Sequence, residues 1–347
     1  MAVPLYERKV KHFLILFPSF IMLTIFMFTL SLSIGSSMLD PSKVFQAIFL
    51  KPFGYVVEEM VEVIAKLRLA RALASVFCGA SLALAGLLMQ TTTRNPLADP
   101  YIFGLSSTAL TLFALGILLV PNLMVHKAWV VAISFSGSIL GYTLTLLLSK
   151  LGGGTSTSMV LAGIAVASLF SGASHVLLYL VQQVTRTYYM YLLMGSASTV
   201  LWTDLQFLTF PSISLAVLTL ALFKPLNAYL YGDEYAKQLG FNPAMIRNAM
   251  SLVASLLTAI TIASVGIVGF VGLIAPHVAR FLAGSDHRFS IPMTALVGAL
   301  VALIADTFVK LTSAFVGGLG ELPLGVVTSI IGSPFLAYIV VRRSMRK

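Results

Sequence analysis

The chain has 347 residues, 58% hydrophobic and 10% charged, with a mean hydropathy of +0.97 and a formal net charge of +10. A soluble chain of this length needs far more polar surface to cover its core, so a soluble globular fold is excluded and nearly all of it belongs in lipid. The bases are scattered between apolar runs and form no stripe on a soluble domain, which argues against nucleic acid as a partner and for a role in membrane orientation.

Apolar runs over 13–34, 69–90, 105–121, 128–148, 159–181, 205–223, 249–265, 267–283, 291–313 and 324–341 predict ten membrane-spanning helices. Each has the roughly 17 to 23 residues needed to cross a hydrocarbon core of about 30 Å. The expected fold is therefore all-α and polytopic, a single transmembrane domain over 1–347. The first run has a basic flank like a signal peptide, but it is too long and no small-residue cleavage site follows, so it is expected to be retained. Cys78, in the second run, is the one cysteine; it excludes an intrachain disulfide and reads as a small buried hydrophobe.

After the second run, residues 94–103 bring a base, an acid and two prolines: Arg94, Asp99, Pro96 and Pro100. Arg94 and Asp99 at mid-bilayer would each cost about 2.5–3.5 kcal/mol, which places this segment at a water boundary. Gly137 with Gly141, and Gly79 with Ala83, have the small-xxx-small spacing that lets helices approach closely. A faint echo links the run from Gly79 to the run from Gly298; packing is implied and no chemistry. A shorter apolar segment, Tyr188 to Ala197, reads as a partial or re-entrant helix. The loop over about 224–248 contains Gly232 to Pro243, a short amphipathic helix with acids at its start and Gly240 to end it. It is either a solvated connector or an element that seats in a groove of a partner. The run from Ala249 to Ala283 is too long for one crossing and is divided at Gly266, Gly269 and Gly272.

Ten crossings leave both termini on one side. With the N-terminus inside, 14 Lys and Arg fall on inner segments and 8 on outer ones, in agreement with the positive-inside rule. No GxxxxGK[ST] phosphate loop occurs, since Gly152 to Thr155 lacks the lysine, and His12, His126, His175, His277 and His287 show no metal-ligand spacing. No catalytic triad is discernible, so no enzyme active site is expected, and any energy source lies outside the chain. Asp306 is the acid nearest the membrane interior. Pairing with Lys310 one turn on is favoured over a proton- or ion-coupling role, the mark of a secondary transporter.

Several segments in order carry a resemblance: Arg68-Leu-Ala-Arg71; Asn95-Pro-Leu-Ala-Asp-Pro-Tyr; Gly232-Asp-Glu-Tyr-Ala-Lys-Gln-Leu-Gly; Gly269-Phe-Val-Gly-Leu-Ile-Ala-Pro-His-Val-Ala-Arg; Asp286-His-Arg; Ala305-Asp-Thr; and Glu321-Leu-Pro-Leu-Gly. From about residue 60 to the C-terminus the chain resembles the permease subunit of type II ABC importers, the family that takes up iron-siderophores, haem and cobalamin. The resemblance implies a homodimer of ten-helix subunits in the cell (inner or plasma) membrane with cytoplasmic termini. It also implies two ATPase subunits beneath that bind ATP-Mg, a soluble binding protein outside, and no cofactor in this chain. It assigns ATPase coupling to Asp233, Glu234, Ala236, Lys237, Leu239 and Gly240, and binding-protein docking to Arg68, Arg71 and Lys310. Lys310 stands where relatives tend to carry arginine; for Arg68 and Arg71 a lipid-headgroup anchor is the alternative. The cytoplasmic gate falls on Thr155, Ser156 and Thr157, which also read as a plain flexible turn, and the translocation path on Gly163, Ser168, Ser171, Gly172 and Ser174. Iron-siderophore is the leading cargo, with haem or cobalamin behind it.

Overall fold

The computed structural model describes residues 2–35, 39–51, 58–187, 189–315 and 321–344. Tyr188, Arg346 and Lys347, which enter the expectations above, lie outside the described residues, as do the side chains of Arg8, Ser156, Arg342 and Arg343.

Helices account for the described secondary structure. In chain order they are α1 (Ala2–Ser33), α2 (Pro41–Phe45), α3 (Glu59–Thr93), α4 (Leu105–Leu119), α5 (Pro121–Met124), α6 (Lys127–Leu151) and α7 (Ser156–Thr185). They continue with α8 (Trp202–Ala221), α9 (Phe223–Leu230), α10 (Asp233–Gln238), α11 (Pro243–Val265), α12 (Val271–Ala283), α13 (His287–Phe315) and α14 (Leu324–Ser344). Among the described residues seven are long and apolar enough to cross a membrane: α1, α3, α6, α7, α8, α11 and α13. Three shorter apolar helices, α4, α12 and most of α14, stand at the other three expected runs, with α4 and α12, at 15 and 13 residues, shorter than expected.

Burial sorts these helices into a centre and a rim. The apolar windows of α3 and α11 are 78% buried and that of α13 is 67% buried, against 22% for α7 and 0% for α1. The centre is held by close backbone contact: a Cβ on Gly79 of α3 would meet the Gly298 carbonyl of α13, and a Cβ on Gly298 would meet Ala83. Lipid supplies no hydrophobic drive between helices, so such close packing has to supply the attraction. The two echoed segments are thus partners in one crossing. Gly137 and Gly141 of α6 approach Thr108 of α4 in the same way.

The stretch from 249 to 283 is two helices, as its glycines predict. Gly266 caps α11 at φ 85°, a conformation that glycine adopts without steric penalty, and Phe270 opens α12 at φ 66°. Backbone groups freed by this break have no lipid partner, so the fold must pair them. A 3-10 turn, Met190–Leu193, provides the pairing. Ile267 N–H donates to Leu192 O at 2.8 Å, and Ser196 N–H donates to Val265 O at 2.7 Å. The start of α14 joins them, with Leu324 N–H donating to Gly195 O and Gly325 N–H to Met194 O, both at 2.9 Å. The partial helix expected over 188–197 is therefore this short turn, knitted to the α11–α12 break.

Helix α3 has 35 residues, about 52 Å at 1.5 Å per residue, so its ends extend beyond a core of about 30 Å. Its two ends define the two faces of the molecule, called below the Arg71 end and the Arg94 end.

Candidate functional site

At the Arg71 end the three basic residues expected to dock a partner converge on one pocket of about 330 Å³, lined also by Gly35, Val200 and Glu321. They are held by the chain's own groups and do not extend from it as free arms. Arg68 Nη1 donates to the Leu32 and Ser33 carbonyls at 3.2 and 2.9 Å at the C-terminal end of α1, where Ser33 O also accepts from Leu39 N–H. Lys310 Nζ donates to Ser31 Oγ at 2.8 Å and lies 2.9 Å from Asp306 Oδ2. Arg71 spans two acids, with Nε on Asp306 Oδ1 at 2.7 Å and Nη1 on Glu321 Oε1 and Oε2 at 2.8 and 2.7 Å. The sequence pairs Asp306 with Lys310 because one helical turn separates them; it gives no sign that Glu321 or Ser31, which arrive from distant segments, would join them.

The Arg94 end carries α9 and α10. Helix α10 opens on Asp233 and Glu234, where free N–H groups favour negative charge. It closes with a Schellman turn: Phe241 N–H donates to Ala236 O and Gly240 N–H to Lys237 O, both at 2.9 Å, with Gly240 at φ 82°. Asn242 then caps α11, its Oδ1 accepting from Ala244 N–H at 3.0 Å and Met245 N–H at 3.2 Å. Glu234, Lys237, Leu239 and Gly240 are exposed, and the Glu234 carboxylate beside it raises the Lys237 ammonium above its ordinary pKa. Two residues of the expected coupling set make contacts within the chain itself. Ala236 is fully buried, and Asp233 pairs with Arg94. The sequence reading missed Tyr231, Tyr235 and Met245, whose exposed rings and thioether extend the outer surface of α10. Tyr231, at the end of α9, and Tyr235 of α10 have rings 5.2 Å apart.

Behind α10, the loop after α3 folds inward through Asp99. Its carboxylate accepts from Tyr101 N–H at 2.8 Å. Burial pushes its pKa up to about 6, against the opposing pull of the Tyr101, Ile102 and Leu273 N–H groups.

Between the two ends, a cavity of about 490 Å³ lies against the α11–α12 break, lined by Tyr101, Met194, Gly269, Gly325, Ser329 and Ser333 among others. Irregular backbone at membrane depth is tolerated where it is buried or borders a cavity, and here it does both. The expected path residues on α7 divide between two faces. Ser168 and Ser171 line a smaller pocket of about 240 Å³ with Tyr101, Ile102 and Ser107, and Gly172 is exposed. Gly163 and Ser174 sit on the adjoining face, turned into the chain: Gly163 packs on the backbone of Ile102 and Phe103, and the buried Ser174 hydroxyl lies 2.8 Å from Thr111 Oγ1 of α4. In the expected gate, Thr155 Oγ1 caps α7 by accepting from Ser158 N–H at 3.0 Å; Thr157 is exposed.

The match that decides the family is a family model, the FecCD transport family, which fits residues 23–342. The chain belongs to the FecCD transport family. Its relatives include the Fe(3+)-citrate import system permease of Bacillus subtilis, 33% identical and aligned over 96% of each chain. The hemin transport system permease of Yersinia pestis is 34% identical over 80% of this chain and 82% of its own. A solved structure described as an inward-facing metal-chelate type ABC transporter superposes with a TM-score of 0.74, at 27% identity over 95% of this chain and 99% of that one. The ten-helix array is thus that of a FecCD permease, a multi-pass membrane protein of the ABC transport class.

Proposed function

We propose that this chain is the membrane-spanning subunit of an importer driven by a separate cytoplasmic ATPase, which receives an iron chelate, haem or a cobalamin from a soluble binding protein outside. The observation that carries this reading is the α9–α10 element: a short helix with an exposed polar and aromatic surface, mounted on the ends of the central helices, in a chain of the FecCD family. Glu234, Tyr235, Lys237, Leu239 and Gly240 form the surface offered to the ATPase. The Arg94 end is then cytoplasmic, which agrees with the distribution of basic residues and puts both termini on that side.

In this reading two copies pair around a shared path. Ser168, Ser171 and Gly172 of α7 and the cavity at the α11–α12 break border that path, and the turn at Thr155–Thr157 closes its inner mouth. The Arg68–Arg71–Lys310 pocket at the outer face receives a carboxylate of the binding protein, which takes the place of the exposed Glu321 on the planar fork of Arg71. Ion-coupled transport is the weaker reading, because Asp306, the acid it would use, is already held by Arg71 and Lys310.

Affinity purification of the full-length chain with its transport operon co-expressed tests the assignment. The expected result is a stoichiometric complex with an ATPase subunit, plus binding-protein capture that is lost in the Arg71→Glu variant. A chain that purifies with no ATPase under these conditions contradicts it.

A further inference from the structure

Arg94 occupies a backbone position that a helix usually gives to glycine. It is the C-cap of α3 with φ 49° and ψ 30°, the left-handed region, where a side chain is disfavoured. The side chain retained there has two partners, both on the α9–α10 element. The guanidinium lies over the Tyr229 ring of α9, its Cζ 4.5 Å from the centroid, and an amino group of the guanidinium forms an ion pair with Asp233 at the start of α10. Tyr229 is itself buried, with its hydroxyl 3.5 Å from Thr92 O in the last turn of α3. The Arg94 and Asp233 side chains are each 42% exposed, and a pair so wet contributes little to stability. A strained backbone position filled by a charged side chain for a pair of slight stabilising value points to a role in geometry.

A second fastening joins the same element to α13. Asn227 of α9 donates through Nδ2 to Asp286 Oδ1 at 2.7 Å, and its Oδ1 accepts from the His287 N–H at 2.8 Å and from the His287 ring Nδ1 at 2.9 Å. The ring Nε2 of His287 reaches Thr91 Oγ1 of α3 at 3.2 Å. The α9–α10 element is thus tied at one point to α3 and at another to α13, the two helices whose opposite ends meet in the Arg71–Asp306 ion pair.

We propose that Arg94 is a positioning residue for energy coupling: stacked on Tyr229 and paired with Asp233, it sets the angle at which α10 meets the ATPase and hands motion of α10 to α3. This rests on the reading of α10 as the coupling helix. Arg94 does not touch the ATPase in this arrangement, and Asp233 acts through Arg94.

The test is the affinity of the full-length chain, in lipid nanodiscs, for the ATPase subunit of its own transport system. Arg94→Gly suits the backbone at this cap and removes the whole side chain, guanidinium included, so its melting temperature is expected to stay at or above wild type while affinity falls about tenfold. Asp233→Ala is expected to lose a similar amount, the double variant no more than either single one, and the exchange Arg94→Asp with Asp233→Arg to recover most of the affinity. Should Arg94→Gly fold poorly, Arg94→Gln gives the same readout. The proposal is overturned if removing the guanidinium leaves affinity unchanged, or if Asp233→Ala weakens binding and the exchange fails to rescue it, because Asp233 then meets the ATPase directly. A wild-type chain that binds no ATPase defeats the parent reading instead, and is seen before any variant is compared.

Discussion

Asp306 is 1% exposed and lies between Arg71, which Glu321 also holds, and Lys310, whose buried charge it balances. Removing one member of a buried ionic group leaves the others unpaired, which typically costs about 3–5 kcal/mol. Asp306→Ala is therefore expected to lower the thermal midpoint in detergent well below that of any substitution at the exposed Arg94–Asp233 pair, a class of interaction worth about 0.2–1 kcal/mol. A midpoint for Asp306→Ala equal to that of wild type would show that these charges are not mutually dependent. At this scale the sequence was informative only where the chain is local. Lys310 follows Asp306 by one turn and could be paired on paper, whereas Glu321 and the end of α1 reach Arg71 and Arg68 through tertiary folding alone.

Helical elements were far more legible, because lipid imposes both the length and the apolar content of a crossing. All ten runs appear as helices, and the break in the run from 249 to 283 lies at the glycine cluster that marked it. The faces of those helices were harder to read. Gly163 and Ser174 are eleven residues apart, roughly three turns at 3.6 residues per turn, so they share a face, while Ser171 and then Ser168 are rotated progressively from it. That spacing was visible in the sequence; which face meets α4 was not. The crossing of α3 and α13 carries its own prediction. Gly298→Leu drives a side chain into Ala83 and the Gly79 carbonyl, and overpacking of this kind costs about 1–3 kcal/mol or forces the helices apart. The variant should melt earlier and resist proteolysis less, while the same change at Phe308, an exposed position on α13, should leave both properties unaltered.

Across the whole molecule, a tightly packed pair of central helices connects two polar ends. One end holds a cationic pocket closed by the chain's own acids, and the other holds a small helix mounted on α3 and α13. Composition gave the class of the protein, and ordered motifs gave its family. Neither could give the inward ties of Asp233 and Ala236, because a six-residue helix reveals its buried side only once its support is in place. In the proposed reading the labour is divided: the chain provides the passage, and the force enters at α10 from a separate subunit. The most direct measurement is uptake of ferric chelate, haem or cobalamin into sealed proteoliposomes containing this chain, with the ATPase and ATP either both present or both omitted and the cargo-loaded binding protein outside. Accumulation that requires the ATPase and ATP, and that Glu234→Lys together with Lys237→Glu diminishes, is the expected result. Accumulation by the chain alone under an imposed proton gradient would contradict it.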